Sequence, residues 1–390
     1  MLALVLAAPA GAATVRVSRD RVVFAAVAGE ANDVTLTLGT SEITVADAGA
    51  PLTAGRGCRA TGDGAASCSA TTFVRVALGD GDDRLGVVLA GTDLPARTEV
   101  RGGPGDDAIA ASGENDLVAG GTGDDDVDAG GGRDTVLEGA DPGDHDTVDG
   151  GEGLDELSYE GTPTPVRVDL AAGTGGRDGA DDSLAGFESV VGSDVGDVLL
   201  GTDGRDTLTG TAYGTGHEPT PVPGDVVFGR GGRDHLSGSQ GADRLYGGAG
   251  SDSLTGGGGR DVYFGGRGND VVQPGTDGHS RVYCGPGRDL ADGFGGPYLL
   301  APSCEITLAQ FGTTVMHVRR GRLVIRFPHL SCRMLVRLGR GGPVARLRSR
   351  RGAHAVFALP ARRRGAIPVL MRSRCYPPPS YDHVFSLLLG

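Results

Sequence analysis

A nine-residue repeat is the feature that most constrains how this chain folds. From Gly247 to Gln273 the sequence reads GGAGSDSLT, GGGGRDVYF and GGRGNDVVQ. Each segment has Gly at positions one, two and four, Asp at position six and an apolar residue at position eight. The 71 glycines of the chain are not spaced every third residue, which excludes collagen. Because disordered linkers do not keep a strict register, the repeat indicates an ordered, stacked structure.

Each nonapeptide reads as a turn followed by a very short strand. Glycines let the first five residues adopt positive φ and turn tightly, with their carbonyl groups exposed. Positions seven to nine form a three-residue strand, of which only position eight points inward. Two turns and two strands then make one coil of 18 residues, and stacked coils share a thin core. The predicted core residues are Ile109, Val118, Val127, Val136, Val227, Leu236, Leu245, Leu254, Tyr263 and Val272.

The aspartates at position six are the candidate metal ligands. Stacking coils would bring them together at 18-residue intervals, and carboxylates about 4.8 Å apart repel one another. A hard cation between the turns converts that repulsion into cohesion. Ca²⁺ fits because it accepts six to eight oxygens in loose geometry, whereas Mg²⁺ demands a tight octahedron. The predicted ligands are Asp107, Asp116, Asp125, Asp134, Asp146, Asp155, Asp197, Asp206, Asp225, Asp234, Asp243, Asp252, Asp261 and Asp270.

The repeats resemble those of a known family. GGAGSDSLT, GGRGNDVVQ, GGTGDDDVD and GGEGLDELS are similar to the RTX, or haemolysin-type, calcium-binding nonapeptide. The resemblance covers about residues 78–292 and implies a parallel β-roll. It also implies several Ca²⁺ ions, held between adjacent turns by the position-six aspartates and turn carbonyls. The flanking cysteine segments resemble those of exported actinobacterial calcium-binding proteins.

The whole chain is predicted to be all-β. Residues 1–13 resemble a signal peptide, and residues 14–77 read as a small N-terminal β domain because β-branched residues alternate between turns. The calcium-binding roll is assigned to residues 78–305, with an insertion at 159–191 and a linker at 210–224. Residues 306–390 read as a basic, β-sandwich-like domain.

Charge differs between the two runs of repeats. The first run, residues 102–137, contains nine acidic residues and one Arg, whereas the second run, residues 229–273, contains five Asp and five Arg. Because unbalanced charge destabilises a compact state, we expect the first run to depend more on calcium for folding. Glu114, Asp144 and Val195 occupy position four, so we expect strained turns there.

Six cysteines fall into three local pairs, Cys58 with Cys68, Cys284 with Cys304, and Cys332 with Cys375. No C-x-x-C spacing indicates zinc. An even number in an exported chain favours disulfides, and pairing of nearest cysteines is the hypothesis among 15 possible arrangements.

No enzyme signature is present, so we expect no catalytic residues and no enzymatic activity. The chain lacks H-E-x-x-H and G-x-S-x-G, and its paired carboxylates have calcium-ligand spacing. No stretch after the leader is long and apolar enough to predict a transmembrane helix. We expect an extracellular or surface-associated structural protein that does not bind nucleic acid.

Two other functions remain open. From Phe311 to the end there are 16 Arg against a single acidic residue, Asp382. The domain therefore suits an adhesin that binds an anionic cell-surface polymer, although a solvated polar face is the simpler interpretation. Its candidate contacts are Arg319, Arg320, Arg362, Arg363 and Arg364. The other alternative is an enzyme that uses the roll as a scaffold.

Overall fold

The computed structural model describes residues 12–292, apart from 63, 91–95, 139–143, 178–181, 211–222 and 275–279, and beyond these only the backbone of the strands given below. Side chains are described up to residue 291. The chain divides into two compact units, Met1–Ser193 and Asp194–Gly390. Every element of regular structure in the described part is a β-strand. The described residues include no helix suited in length and hydropathy to crossing a membrane.

The first unit begins with strands of ordinary length. They are β1 (Ala13–Ser18), β2 (Arg21–Ala25), β3 (Asp33–Gly39), β4 (Glu42–Asp47), β5 (Leu52–Ala54), β6 (Cys58–Gly62), β7 (Ala65–Ser69), β8 (Phe73–Ala77), β9 (Arg84–Ala90) and β10 (Arg97–Pro104). Two antiparallel hairpins, β1–β2 and β3–β4, lie in different sheets. Alternate residues such as Val22 and Phe24 are fully buried, as a strand with one face on a core requires.

Shorter strands follow in the same unit. They are β11 (Ala108–Ala110), β12 (Leu117–Thr122), β13 (Asp126–Asp128), β14 (Gly131–Gly132), β15 (Thr135–Leu137), β16 (Thr147–Asp149), β17 (Glu152–Gly153), β18 (Glu156–Ser158), β19 (Arg167–Asp169), β20 (Thr174–Gly175), β21 (Asp182–Ala185) and β22 (Ser189–Val191). One parallel sheet runs β2–β8–β10–β12–β15–β18–β22, and the other runs β3–β9–β11–β13–β16–β21. The N-terminal strands therefore share both sheets with the repeats.

Within segment 159–191 the structure places both roll strands and an excursion. β21 pairs with β16, and β22 pairs with β18, so Leu184 and Val190 extend the buried columns of the repeats. The short strands β19 and β20 form an antiparallel excursion between β18 and β21, and β20 pairs with β21.

The second unit repeats the parallel arrangement. Its strands are β23 (Val198–Leu200), β24 (Thr207–Thr209), β25 (Val226–Phe228), β26 (Gly231–Gly232), β27 (His235–Ser237), β28 (Arg244–Gly250), β29 (Ser253–Thr255), β30 (Val262–Arg267), β31 (Val271–Gln273), β32 (Arg281–Tyr283), β33 (Leu290–Asp292), β34 (Leu299–Leu300) and β35 (Glu305–Leu308). One sheet runs β24–β27–β29–β31–β33–β35, and the other runs β23–β25–β28–β30–β32–β34.

The tail continues each sheet with antiparallel strands. They are β36 (Thr314–Arg319), β37 (Arg322–Leu330), β38 (Arg333–Leu338), β39 (Val344–Leu347), β40 (Arg350–Ala358), β41 (Gly365–Arg374) and β42 (Asp382–Leu389). Antiparallel pairing joins β35–β36–β37–β40 in one sheet and β39–β38–β41–β42 in the other. The side chains of the predicted arginine contacts lie outside the described residues.

The core of both units is the column of position-eight side chains. All ten predicted inward residues are at most 2 % exposed, and in-register pairs such as Leu236 with Leu254 stack them directly. Full burial of a Val or Leu side chain contributes about 1.5–3 kcal/mol, so each coil adds little and depends on its neighbours. The predicted all-β fold with a parallel β-roll is confirmed.

Two further features reinforce the sheets. Phe228, Tyr246, Phe264 and Tyr283 stand at position nine of successive coils, and their rings stack at centroid distances of 4.4, 4.7 and 5.0 Å. Cys58 and Cys68 face each other on β6 and β7 and form the predicted disulfide. Cys284 is also disulfide-bonded, whereas Cys304, Cys332 and Cys375 lie outside the described residues.

Candidate calcium sites

The position-six aspartates link successive coils by hydrogen bonds. In most coils the backbone N–H of the aspartate donates to the Oδ1 atom of the aspartate one coil further along, and at two ends of the series it donates to Glu188 Oε2 or Ser280 Oγ instead. The bond from Asp234 to Asp252 spans 18 residues with an N···O distance of 3.0 Å. We call each continuous series of these bonds an aspartate ladder. Such a bond explains why Asp is tolerated at a buried position. One carboxylate oxygen accepts a backbone N–H of the neighbouring coil, so both groups are satisfied without water.

Each unit contains two aspartate ladders. In the first unit they run Asp83–Asp107–Asp125–Asp146–Asp182 and Thr98–Asp116–Asp134–Asp155–Glu188, with N···O distances of 2.5–3.2 Å. In the second they run Asp197–Asp225–Asp243–Asp261–Ser280 and Asp206–Asp234–Asp252–Asp270–Asp289, at 2.8–3.1 Å. The structure therefore brings all of the predicted ligands into four continuous series.

The second carboxylate oxygen, Oδ2, is the chemically unusual atom. The predicted ligands are at most 5 % exposed, so water does not reach this oxygen freely. It is buried without a hydrogen-bond partner among the described residues in Asp107, Asp125, Asp134, Asp155, Asp225, Asp234, Asp252 and Asp270. We call these the open aspartates. A buried acceptor without a donor is costly, which indicates that another group completes the site.

In these turns a carbonyl oxygen and the Oδ2 atom flank the same point. At Gly265, position one of its repeat, a Cβ atom would lie 2.6 Å from Oδ2 of Asp270 and 2.5 Å from the Cys284 carbonyl oxygen. At Gly229 the same point is flanked by Oδ2 of Asp234 and the Gly247 carbonyl. Only glycine leaves this space empty. A carboxylate and a carbonyl oxygen converging on one point form an oxygen-only donor set, which suits Ca²⁺.

The comparisons with known proteins agree with this donor set. The model of the RTX calcium-binding nonapeptide repeat family matches residues 101–136, 191–212, 224–254 and 237–272. The chain carries RTX calcium-binding repeats. The family match thus falls on the segments where the structure has aspartate ladders and glycine turns.

The other comparisons add no function. Among solved structures, an extracellular lipase LipA from Serratia marcescens is similar with 14 % identity and a TM-score of 0.20, over 63 % of this chain and 41 % of the lipase chain. This chain therefore spans less than half of the lipase, and at that score the likeness supports neither a shared activity nor a shared fold. No curated protein sequence matches the chain.

Some RTX repeats hold their aspartate differently. The backbone N–H groups of Ser112 and Ser239 donate to Oδ2 of Asp116 and Asp243, at 2.8 and 2.9 Å. Likewise, the N–H of Thr202 donates to Oδ2 of Asp206, and the Tyr263 hydroxyl donates to Oδ2 of Asp261. We call these the capped aspartates. Their second oxygen already has a donor from the protein, so they are weaker candidates for direct ligation.

The sequence contained a signal for most of the capping. Ser112, Thr202 and Ser239 all stand at position two of their repeats, where the best-matching repeats have Gly. A Ser or Thr four residues before an Asp predicts this local turn. The spacing alone did not separate open from capped aspartates.

Burial changes the acidity of the RTX aspartates. It raises the pKa to about 7 for Asp125, Asp134, Asp225 and Asp234, and to about 6 for Asp107 and Asp270. The carboxylates of neighbouring coils add to the effect, and the backbone hydrogen bond opposes it. Without a cation, these groups therefore resist ionisation near neutral pH.

The turn glycines have a second role. Gly248 and Gly250, at positions two and four, adopt φ of +104° and +145°, a region that favours glycine. The expectation of strain at Glu114, Asp144 and Val195 is wrong, because none of them has positive φ. Among the described residues of the repeats, Arg230 is the non-glycine residue with positive φ, at 69°.

Three aspartates of the ladders were not among the predicted ligands. Asp83 belongs to the weak repeat GDGDDRL and accepts hydrogen bonds from the Asn32 backbone and side chain at 2.6 and 3.1 Å. Asp289 belongs to the degenerate repeat CGPGRD, so both carry a sequence signal. Asp182 lies in segment 159–191 without flanking glycines at repeat positions, and nothing in its sequence indicated this place.

Proposed function

We propose that the open aspartates and the turn carbonyls bind several Ca²⁺ ions, and that this binding completes the folding of an exported structural or surface-associated protein. The observation that carries the proposal is the buried, unpartnered Oδ2 atom, repeated in successive coils. At each of these points a bound ion supplies the partner that the buried Oδ2 atom lacks among the described residues. The bound ion adds oxygen coordination and positive charge, while this chain's own residues supply the ligands and hold them in register.

The coupling to folding follows from the raised pKa values. Ionising a carboxyl group with a folded pKa of about 7, against about 3.9 in an unfolded chain, costs about 4 kcal/mol for one residue. A domain is stable by only about 5–15 kcal/mol. A roll with several ionised ladder aspartates therefore needs a compensating cation at pH values above 7.

Export is supported by two separate features. The leader has an apolar run that ends in Ala10–Gly11–Ala12, a small-residue cleavage motif. The disulfide between Cys58 and Cys68 suits an oxidising compartment. Extracellular calcium modules have dissociation constants of order 10⁻⁴–10⁻³ M, a range that extracellular Ca²⁺ fills.

The basic tail supports a second candidate function. Its excess of arginine over acidic residues suits an anionic cell-surface polymer, which would make the protein an adhesin. Salt-sensitive retention of the full chain on cell-wall material supports that function, and retention unchanged by salt contradicts it. The absence of enzymatic activity stays a prediction.

The central test is a calcium titration of the full chain after chelation, followed by far-UV circular dichroism. We expect β signal to increase with Ca²⁺ and much less with Mg²⁺ at the same concentration. A spectrum that Ca²⁺ leaves unchanged contradicts coupled folding.

The ligand assignment has its own test, the number of Ca²⁺ ions bound at saturation in equilibrium dialysis. Asp252→Asn replaces an open aspartate and should remove at least one ion. Asp243→Asn replaces a capped aspartate in the same unit and should leave the number unchanged. Equal losses in both variants contradict the distinction between open and capped positions.

A further inference from the structure

Carboxylates converge where the nine-residue period slips in the first unit. Asp144, Asp146 and Asp182 each place one oxygen atom within 4.8 Å of the others. Asp146 and Asp182 are buried, Asp144 is half-buried, and the Asp146 N–H donates to Oδ1 of Asp182 at 3.2 Å. The cluster differs from a glycine turn because Asp144 occupies position four and Asp182 comes from segment 159–191.

Glu138 adds a fourth carboxyl group to the cluster. It directly follows strand β15, where the best-matching repeats begin with Gly, and its carboxyl group shares a hydrogen bond with that of Asp146. Burial and the carboxylates of Asp146 and Asp182 raise its pKa well above the usual range. The Glu138 side chain therefore stands in the place where other coils have only the hydrogen atom of a glycine.

An independent observation comes from Tyr159. Its side chain is 1 % exposed, and its hydroxyl is buried without a hydrogen-bond partner among the described residues. Leu137 pairs with Ser158, so Tyr159 and Glu138 follow in the same register and face the same side. A Cβ atom on Gly175, which pairs with Asp182, would lie 3.1 Å from the hydroxyl. Burial and the charges of Glu138 and Asp182 raise the pKa of this phenol well above its usual range. An unpaired phenol beside several carboxylates indicates that a polar group is missing here.

Positive charge from the protein does not balance this cluster. Arg177 is buried and acts on Asp146, Asp182 and Tyr159. His145, the neighbour of Asp144, lies 3.8 Å from Asp124 instead, and both of those side chains are exposed. Among the described residues, one guanidinium faces four carboxyl groups, which leaves a strongly negative, enclosed site when all four ionise.

We propose that Glu138, Asp144, Asp146 and Asp182 form a separate site for one hard cation, Ca²⁺ in the native protein, with the Tyr159 hydroxyl beside it. Its ligands are carboxylates from three chain segments, whereas the glycine-turn sites combine one carboxylate per coil with carbonyls. Because calcium affinity rises with the number of charged ligands, this site binds more tightly than the turn sites. Binding joins segment 159–191 to the preceding coil.

Terbium luminescence of the calcium-free full chain tests the proposal. Tb³⁺ replaces Ca²⁺ on oxygen ligands and emits when a nearby aromatic residue absorbs, and this chain has no Trp, so tyrosine is the donor. We expect the first Tb³⁺ to bind at a concentration about tenfold below the rest, with emission sensitised by Tyr159. Tyr159→Phe should remove the emission of that first equivalent, whereas Tyr263→Phe, beside a turn aspartate, should preserve it.

A second variant tests the ligands. Asp144→Asn changes a half-buried side chain outside the aspartate ladders, and it should weaken the first equivalent by about tenfold without changing the number of later ones. Unchanged first-equivalent emission in Tyr159→Phe, or unchanged affinity in Asp144→Asn, overturns the proposal. A parent chain that binds the first Tb³⁺ but no later ones would instead contradict the turn sites, so the two proposals fail separately.

Discussion

A single neutral substitution at an open aspartate should change stability in opposite directions with and without calcium. Asp234 is 1 % exposed, its Oδ1 accepts the Asp206 N–H at 3.0 Å, and its Oδ2 has no partner among the described residues. In Asp234→Asn the amide oxygen preserves the ladder bond. The amide N–H₂ takes the place of Oδ2, near the Gly247 carbonyl that flanks the same point. The substitution therefore removes a charge and a ligand but little packing.

The size of the stability change follows from the pKa of Asp234. Burial raises this pKa to about 7, and the neighbouring carboxylates of Asp252 and Asp206 contribute to the increase. A folded pKa above the unfolded value of about 3.9 gives stability that is fully present below the unfolded value and lost as pH rises through 7. Between about pH 5 and pH 8 the loss amounts to about 2.5 kcal/mol for this residue. Asp234→Asn removes that loss and should stabilise the calcium-free protein by about 2–4 kcal/mol at pH 8.

The assay is urea denaturation at about pH 5 and pH 8, in excess chelator and in saturating Ca²⁺. In chelator, the variant should be more stable than the parent at pH 8, and the difference should shrink at pH 5. In Ca²⁺ it should be less stable, because a ligand is lost. Asp203→Asn, at an exposed position of the preceding coil, is the matched control and should change the stability neither in chelator nor in Ca²⁺. Destabilisation of Asp234→Asn in chelator at pH 8 would refute the reasoning.

Three other perturbations test the roll. Gly121→Ala should destabilise by at least about 2 kcal/mol, because φ is +133° and the methyl group would overlap the Gly103 carbonyl, whereas Gly113→Ala has open space. Leu254→Ala should cost about 2–5 kcal/mol in thermal or urea unfolding, whereas Leu154→Ala, at an exposed position, should cost less than about 0.5. Hydrogen exchange after chelation should show greater loss of protection in the first run than in the second, and equal losses would contradict the charge argument.

The sequence was sufficient wherever the signal was local and periodic. The spacing of Leu236 and Leu254 predicts their register because one coil uses 18 residues, and the structure pairs them. The same spacing places Asp234, Asp252 and Asp270 in one ladder. A repeat with one inward residue leaves no alternative register, since a shift by one residue exposes the core column.

The sequence was insufficient where the chain leaves the period. Asp182 and Glu188 enter the ladders 36 and 33 residues after their partners, and no glycine pattern marks them. Their places depend on how an excursion returns to the sheet, which is a tertiary property. Capping was missed for another reason. Ser112 and Thr202 carry a signal at position two, but they affect only the hydrogen bonding of the second carboxylate oxygen, and the aspartate itself was already assigned as a ligand.

The hydrogen bonds of the aspartate ladders have a direction. Each backbone N–H that forms a ladder bond donates to a side-chain oxygen of the following coil, a carboxylate in every case but Ser280, so each coil is completed by residues that come later in the sequence. The series ends at Ser280 and Asp289 in the second unit. A chain that emerges from a translocation pore with its N-terminus first would keep its newest coil incomplete at every moment. Folding would then advance along the chain one coil at a time, as each new coil leaves the pore.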